Sequence, residues 1–395
     1  MTDARSKRTS RPAAAPSHAT PPGALETRVA EARTAREDHR EEGWSEDDAA
    51  PFGGIDLGGT KIEARLFAGA DAATLDTRRV PTPRDVPALI EALADLTAWL
   101  NERAEATPAL SGQATRSSGQ ATRSLPIGLA VPGVVAADGG VDAANLPRLA
   151  GKSGAAALPL AALMAASGSA PGRIVNDCLA FVRSEATGGA AEGAGRAVGI
   201  IVGTGMSAAL WRRSPGEPGD GRTVEIGHCG IAHRALARHD LHASAIGDAR
   251  CGCGLALCHE SLLAGPGLAR LAAHLTSEAI APEALAAHRD GERVLDVWAD
   301  IMGEALRLVQ VMLEPEVVVL GGGLSRLPGV IERLEPALSR RAMPGLPLPA
   351  LRLARHGDSS GARGAALIAR DAARAGGDAA RAGSDAARAG DGAPC

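Results

Sequence analysis

The sequence predicts an α/β protein made of two units that meet near residue 172. Apolar runs of strand length alternate with longer stretches of helical period, which indicates layered strands and helices. The first two predicted strands flank a Gly-Gly turn, which favours an opening hairpin and therefore a mixed sheet. A second strand-turn-strand segment follows about 145 residues later, so the second unit is expected to be related to the first.

The predicted elements alternate along the chain. The predicted strands cover 52–56, 62–67, 126–131, 173–175, 197–202, 207–211 and 317–320. The predicted helices cover 85–104, 155–167, 178–187, 259–275, 291–313 and 328–341. The expected organisation is a leader at 1–50, an N-terminal α/β domain at 51–172, a C-terminal α/β domain at 173–360 and a tail at 371–395, with a helix at 361–370 completing the first domain.

The two ends of the chain differ in composition from the middle. Residues 1–50 are rich in Ala, Pro, Arg, Glu and Asp without a sustained apolar period, so we expect a disordered leader. At the other end, DAARAGG, DAARAGS and DAARAGD repeat from Asp371. Heptads can form a coiled coil, but only Ala would line this seam, and we expect a disordered or frayed helical tail. SGQATRS occurs twice from residue 111 and is typical of a surface loop.

Composition and charge restrict the class of function. The 395 residues are 45% hydrophobic, enough for two cores, and the net charge of -4 lacks the basic footprint of a nucleic-acid binder. No apolar run reaches the roughly 20 residues of a membrane span, and no secretory signal is present. Clustered cysteines favour a reducing compartment, so the cytoplasm is expected. The start of the leader is basic and contains Ser and Thr, so an organelle transit peptide is the alternative.

The first glycine turn lies in IDLGGTKIEARLF, where Asp56 ends a predicted strand. Gly58 and Gly59 let the backbone approach a phosphate, while Thr60 and Lys61 add a hydroxyl group and a positive charge. A Gly-Gly hairpin turn is common by itself. An acid directed at Mg²⁺ beside such a turn is a nucleotide-site arrangement, which favours that interpretation.

Two further glycine segments follow predicted strands. GIIVGTGMSAALW repeats the strand-turn-strand arrangement with Gly203, Thr204 and Gly205. VVVLGGGLS places an adenine- or ribose-sized space beside the bare backbone of Gly321, Gly322 and Gly323. Each motif alone has low specificity, but their order and spacing together predict one nucleotide held between two related units.

A candidate catalytic acid lies in RIVNDCLAF, where Asn176 and Asp177 follow an apolar strand and open a helical pattern. The ordinary interpretation is a helix N-cap, for which Asn and Asp are favoured. In a phosphotransferase, a carboxylate at a strand end can accept the proton of an attacking hydroxyl group. Beside the glycine turns, the catalytic interpretation is favoured for Asp177.

A candidate metal site combines TVEIGHCG with the later RCGCGLALCHE. His228, Cys251, Cys253 and Cys258 would supply one nitrogen and three thiolates, the closed set of a structural Zn²⁺. A degenerate or redox-sensitive site is the alternative. On spacing alone the nitrogen could also come from another histidine, namely His233, His239, His242 or His259. The Glu-x-Gly before His228 favours that residue.

Together these motifs resemble those of the ROK family of sugar kinases and repressors. The resemblance runs from about residue 52 to residue 370 and rests on DLGGTK, VND, GTG, EIGH and CGCGLALCHE. It implies an actin-like ATPase fold, of the ribonuclease H-like class, with a cleft between the two α/β domains. It also implies Mg²⁺ and ATP, phosphorylation of a hexose 6-hydroxyl group, structural Zn²⁺ and a homodimer.

Several stretches are most similar to the bacterial N-acetylglucosamine kinases of this family, including LARHGDSSGARGAALIA and ESLLAGPGLA. The resemblance implies N-acetyl-D-glucosamine as substrate and Asp177 as the general base. It also implies sugar contacts from Asn145, Asn176, Asp177, Glu225, His228 and Glu260, and nucleotide contacts from Asp56, Thr60, Lys61, Thr204 and the glycines from Gly321. As ordinary alternatives, Asn145 is a turn residue and Glu260 an acid in a first helical turn.

The sequence departs from the family pattern in three places. Met206, Ser207 and Ala208 follow the second glycine turn where more glycine is usual, so we expect a less close approach to the phosphate and reduced activity. Val224 replaces a frequent Gly before the Glu. Leu257 replaces the usual Gly before the third zinc cysteine, where a left-handed backbone would favour Gly, so we expect a looser or reshaped loop.

Other functions stay open at this point. A glucokinase or fructokinase of the same family differs in the pocket for the acetamido group, which spacing does not show. A sugar-responsive transcriptional repressor would carry a helix-turn-helix before the first glycine turn, and residues 1–50 show no such pair of amphipathic helices. A sugar-binding protein without turnover is suggested by the altered second glycine turn.

Overall fold

The computed structural model describes residues 50–107, 125–143, 158–168, 171–213, 219–241 and 250–390. Its strands are β1 (Phe52–Leu57), β2 (Lys61–Ala68), β3 (Ala73–Pro81), β4 (Ile127–Val131), β5 (Val134–Val135), β6 (Val141–Asp142), β7 (Arg173–Asn176), β8 (Arg196–Val202), β9 (Met206–Arg212), β10 (Asp220–Val224), β11 (Val317–Gly321) and β12 (Ala350–Leu353). Its α-helices are α1 (Val86–Glu105), α2 (Leu160–Ala166), α3 (Asp177–Glu185), α4 (His233–Ala237), α5 (His259–Leu263), α6 (Gly265–Thr276), α7 (Gly291–Leu313), α8 (Val330–Ser339) and α9 (Ser360–Gly390). Short 3₁₀ helices cover Ile226–His228, Pro282–Ala287, Gly323–Arg326 and Gly357–Ser359.

Two five-stranded sheets share one topology. The first has the order β3-β2-β1-β4-β7 and the second the order β10-β9-β8-β11-β12. β1 pairs antiparallel with β2 and parallel with β4, and β8 pairs in the same way with β9 and β11. The predicted α/β class with mixed sheets is therefore confirmed. The shared topology also places the two strand-turn-strand segments at equivalent positions.

Helices bury the centre of each sheet. β4 and β11 are buried along their whole length, which is typical of parallel strands covered on both faces. Asp85 caps α1 by accepting a hydrogen bond from Ala88 N at 2.9 Å. The apolar face of α1 packs on the first sheet through leucines at helical spacing, Leu89, Leu93, Leu96 and Leu100. The second sheet shares a larger core with α5, α6, α7 and α8.

Helix α9 returns the chain from β12 to the first sheet. It packs against β1, β4 and α3. Gly128 of β4 allows this close approach, because a β-carbon there would lie 2.0 Å from the carbonyl oxygen of Ala365. The backbone of α9 continues as helix to Gly390, through the sequence in which we expected a low-complexity tail.

The segment predicted as one helix over 259–275 is two helices, so this expectation is wrong. Ala264 has φ -71° and ψ 169° between α5 and α6. Pro266 follows and has no amide hydrogen with which to continue the hydrogen bonds of α5. Instead, Gly265 N donates to the carbonyl oxygen of Gly203 at 2.7 Å. The break therefore places the start of α6 beside the second glycine turn.

The sequence pattern does not predict β3, β5, β6, β10 or β12. β3, β10 and β12 are edge strands, and β10 exposes four of its five residues, which removes the alternation of buried and exposed side chains. No helix in the ranges given above is long and apolar enough to cross a membrane. Residues 1–49, the SGQATRS repeat and Asn145 lie outside the described residues.

Candidate active site

A cleft of 1160 Å³ is lined by residues of both sheets. The turns after β1 and β8, the end of β11 and the start of α3 all reach it. It brings together most of the residues predicted for the site, namely Asp56, Gly58, Gly59, Thr60, Lys61, Asn176, Asp177, Gly203, Thr204, Gly205, Glu225, His228, Cys253, Glu260, Gly321, Gly322 and Gly323. Cys251 and Cys258 adjoin it through the cysteine cluster.

Asp177 is the first residue of α3 and lies partly buried in the cleft. Burial raises the pKa of Asp177 to about 6, and the negative charge of Glu225 adds to the rise. A hydrogen bond from Cys178 N at 2.7 Å acts in the opposite direction. A carboxyl group with this pKa is largely ionised at neutral pH yet more basic than a free Asp, which suits a general base.

Asn176 is the N-cap of α3. Its Oδ1 accepts hydrogen bonds from Cys178 N at 2.9 Å and Leu179 N at 3.2 Å, while its Nδ2 donates to the carbonyl oxygen of Gly133 at 2.8 Å. The side chain is 5% exposed. Asn176 therefore positions the helix that carries Asp177, and its Oδ1 already has two donors.

Asp56 lies near the end of β1, opposite Glu63 of β2. Burial raises the pKa of Asp56 to about 7, and the negative charge of Asp177 adds to the rise. A cation that offsets the negative charge of Asp56 and Asp177 would be stabilised there. The carboxylate oxygens are ligands that suit Mg²⁺. Lys61, which is 45% exposed, has its Nζ 3.9 Å from Glu63 Oε2. The residues present thus fit a Mg-nucleotide.

Each glycine turn is closed by a hydrogen bond from the amide of its first glycine. Gly58 N donates to the carbonyl oxygen of Lys61 at 3.0 Å, and Gly203 N donates to that of Gly205 at 2.9 Å. After the second turn, Met206 N donates to Glu260 Oε2 at 2.9 Å. The amide of Met206, one of the residues that depart from the family pattern, is thus held by a carboxylate.

The cysteine cluster joins His228 to the three predicted thiols. The four ligand atoms of His228, Cys251, Cys253 and Cys258 lie within 4.8 Å of one another, and His228 Nδ1 is 3.5 Å from Cys251 Sγ. Ligands of a tetrahedral zinc stand about 3.7 Å apart. The donor set and its spacing therefore fit a structural Zn²⁺.

Other histidines that spacing left open have different partners. His239 Nε2 lies 2.8 Å from Asp300 Oδ2, and His259 Nδ1 donates to the carbonyl oxygen of Ile226 at 2.8 Å. His233 begins α4, and His242 lies outside the described residues. Within the part of the chain that the structure describes, the four-residue group contains His228 alone among histidines.

The second nitrogen of His228 lies near Glu225 in the cleft. His228 Nε2 lies 3.9 Å from Glu225 Oε2. Glu260 connects the cysteine cluster to the second glycine turn, since its Oε1 accepts a hydrogen bond from Cys251 Sγ at 3.0 Å while its Oε2 holds Met206 N. Leu257 has φ +57°, so the left-handed backbone expected there is present with a leucine in it.

Several cleft residues were not predicted from the sequence. Val134 and Asp142 of the β5–β6 hairpin line the cleft, as do Arg326 and Asp358, which pair at 3.0 Å. Gly361 lies at the start of α9 beside Asp56. Asp358 and Gly361 lie in the stretch LARHGDSSGARGAALIA, which the sequence analysis singled out. The hairpin residues Val134 and Asp142 lie in no recognisable motif.

Comparison with known proteins places the chain among sugar kinases. The family model of the ROK family matches residues 52–372. N-acetylgalactosamine kinase AgaK of Shewanella sp. (strain ANA-3) is 33% identical over 322 residues, 80% of this chain and 95% of that protein. N-acetyl-D-glucosamine kinase of Pectobacterium atrosepticum is 34% identical over 325 residues, 80% of this chain and 97% of that protein. The crystal structure of ROK hexokinase from Thermus thermophilus is 29% identical with a TM-score of 0.60, and the match covers 80% of this chain and 97% of that one.

Proposed function

The chain belongs to the ROK family, and we propose that it transfers the γ-phosphoryl group of ATP to the 6-hydroxyl group of N-acetyl-D-glucosamine. The resemblance inferred from the motifs is confirmed, and with it the actin-like ATPase fold and the assignment as a sugar kinase. Two relatives at 33 and 34% identity are named as kinases of N-acetylated hexosamines. Their names support an acetylated sugar as substrate.

The observation that carries the proposal is the position of Asp177. Its carboxyl group, with a pKa raised to about 6, lies in the cleft with both glycine turns. Asp177 accepts the proton of the sugar 6-hydroxyl group as the oxygen attacks the γ-phosphorus of ATP, and the O–P bond to ADP breaks. The sugar is held by Glu225, His228 and Glu260, with Asn176 and Asn145 as further expected contacts.

The nucleotide occupies the other part of the cleft. Gly58, Gly59, Thr60, Gly203, Thr204 and Gly205 surround its phosphates, and the glycine run from Gly321 faces its adenosine. Lys61 offsets negative charge on the phosphates. Asp56 would hold Mg²⁺, which supplies further charge neutralisation at the transferring phosphoryl group.

The cysteine cluster would hold a structural Zn²⁺ through His228, Cys251, Cys253 and Cys258. Such an ion ties together a loop that has little core of its own. With His228 Nδ1 directed at the cluster, Nε2 is left to meet the sugar beside Glu225. The cysteine cluster therefore fixes the imidazole of His228 in position to bind the sugar.

We also place the protein in the cytoplasm as a homodimer. Free thiols in the cluster and the need for ATP both favour that compartment. Light scattering on the purified protein tests the dimer.

An ADP-release assay with Mg-ATP tests the function. The panel contains N-acetylglucosamine, N-acetylgalactosamine, N-acetylmannosamine, glucose, fructose and mannose. The highest kcat/KM is expected for N-acetylglucosamine. Preference for glucose or fructose would overturn the sugar while keeping the reaction, and absence of turnover with binding of sugar and ATP would overturn the reaction.

A further inference from the structure

The β5–β6 hairpin presents two different faces. Val134 pairs directly with Asp142, and Val135 with Val141. Val141 is 5% exposed and packs in the first core, with Val135 against it. Directly opposed residues of an antiparallel pair share a face, so Val134 and Asp142 lie together on the other face. Both line the cleft.

The hairpin is bound to the catalytic helix. Asn176 Nδ2 donates to the carbonyl oxygen of Gly133 at 2.8 Å, directly before Val134. Asn176 is in turn the N-cap of α3 and precedes Asp177. The position of the hairpin face is therefore fixed relative to the general base, and this face belongs to the sugar end of the cleft.

Val134 differs in polarity from the cleft residues assigned to the sugar. The cleft residues Glu225, His228 and Glu260 are all polar. Val134 is 58% exposed, although it lies within the cleft. A second exposed apolar side chain in the cleft is Leu353, which is 48% exposed. Leu353 lies on β12 beside β11, the strand that leads to the glycines expected to contact the nucleotide. An apolar group on the sugar thus has an apolar partner on the hairpin.

A pyranose with its 6-hydroxyl group at Asp177 carries the C2 substituent on the opposite side of the ring from C5. An acetamido group at C2 needs an apolar contact for its methyl group and an acceptor for its N–H group. Val134 and Asp142 offer this pair side by side. Glucose has a hydroxyl group at C2 and gains nothing from the apolar contact.

We propose that the β5–β6 hairpin selects for the N-acetyl group, with Val134 contacting the acetyl methyl group and the Asp142 carboxylate accepting a hydrogen bond from the amide N–H. This inference rests on the proposed function, because it names the part of the same site that recognises the sugar substituent.

The test compares kcat/KM for N-acetylglucosamine and glucose in single variants. Val134→Thr keeps the side-chain shape but replaces a methyl group by a hydroxyl group, and Asp142→Ala removes the acceptor. Each should lower kcat/KM for N-acetylglucosamine about tenfold, with glucose changed less than about twofold. Asp142→Asn, which keeps an acceptor oxygen, should remain within about threefold of the wild type on both sugars.

Leu353→Thr is the control, since it also replaces an exposed apolar side chain of the cleft by threonine but lies on β12 instead of on the hairpin. It should leave the ratio of the two sugars unchanged. Retained turnover of glucose shows that each variant is folded. An unchanged sugar ratio in Val134→Thr and Asp142→Ala would overturn the role of the hairpin. A wild-type preference for glucose would instead overturn the proposed substrate, and the hairpin inference with it.

Discussion

The α-carbon of Gly361, the second residue of α9, faces the carboxyl group of Asp56 so closely that a β-carbon would lie 2.6 Å from Asp56 Cγ. The first strand of the fold and its last helix thus meet at a residue expected to serve the nucleotide. A helix start beside a carboxylate is electrostatically favourable. Only glycine leaves room for this contact without displacing the acid.

Gly361→Ala is expected to displace the Asp56 carboxylate and to lower kcat/KM for ATP about 100-fold, because small misplacements in a phosphoryl-transfer site are costly. Gly376→Ala, in the same helix with nothing within 4 Å of the added carbon, is the matched control. It should keep activity and raise the free energy of unfolding by up to about 1 kcal/mol. Equal activity in both variants would argue against a role for the contact.

Asp177→Asn is expected to lower kcat by roughly 10²- to 10⁴-fold, because the amide cannot accept the proton of the sugar hydroxyl group. Asn is close to Asp in size and suits the start of α3, so sugar affinity should be largely kept. Steady-state kinetics and calorimetric titration with sugar measure the two quantities. If the variant kept more than about a tenth of the wild-type kcat, Asp177 would not be the general base.

The pH profile should show one acidic limb. The pKa of Asp177 is raised to about 6, and the base works only when ionised. Activity should therefore be full above that pKa and fall about tenfold for each pH unit below it. Measuring kcat/KM for the sugar at saturating Mg-ATP from pH 8 to pH 5 tests this. A flat profile over that range contradicts the assignment.

Metal analysis is expected to find about one zinc per chain. Cys253→Ser should lower zinc content clearly, since Cys253 is exposed yet belongs to the four-residue group. Cys229→Ser changes a neighbouring cysteine outside that group and should leave the content unchanged. Mass spectrometry under native conditions measures both. Equal zinc in the two variants would mean that the cluster is not the site.

Leu257 allows a test of backbone strain in the metal loop. With φ at +57°, a side chain costs roughly 1–2 kcal/mol that glycine avoids. Because Leu257 also packs against the second core, the informative comparison is between Leu257→Ala and Leu257→Gly, which both lose those contacts. Urea unfolding of the zinc-loaded protein should show Leu257→Gly to be more stable by about 1 kcal/mol. The reverse order would show that the loop carries no such strain.

The sequence was most informative where one local pattern is sufficient. The apolar runs of β4 and β11 are continuous because helices bury both faces of those strands. The turns at Gly58 and Gly203 are recognisable because their residues lie next to one another. Edge strands escaped prediction because a strand such as β10 exposes most of its side chains and shows no alternation.

The amino-acid sequence was sufficient to predict the two mixed α/β units, the family, and the types of side chain available for the reaction: the glycine turns, Asp177, and one histidine with three cysteines. The packing of the fold decided which histidine meets the thiols, that Asn176 binds the carbonyl oxygen of Gly133, and that Val134 and Asp142 line the cleft. It also brought Gly361 against Asp56. Turns and caps depend on residues a few positions apart, whereas these contacts depend on how sheets and helices pack, which spacing along the chain does not encode.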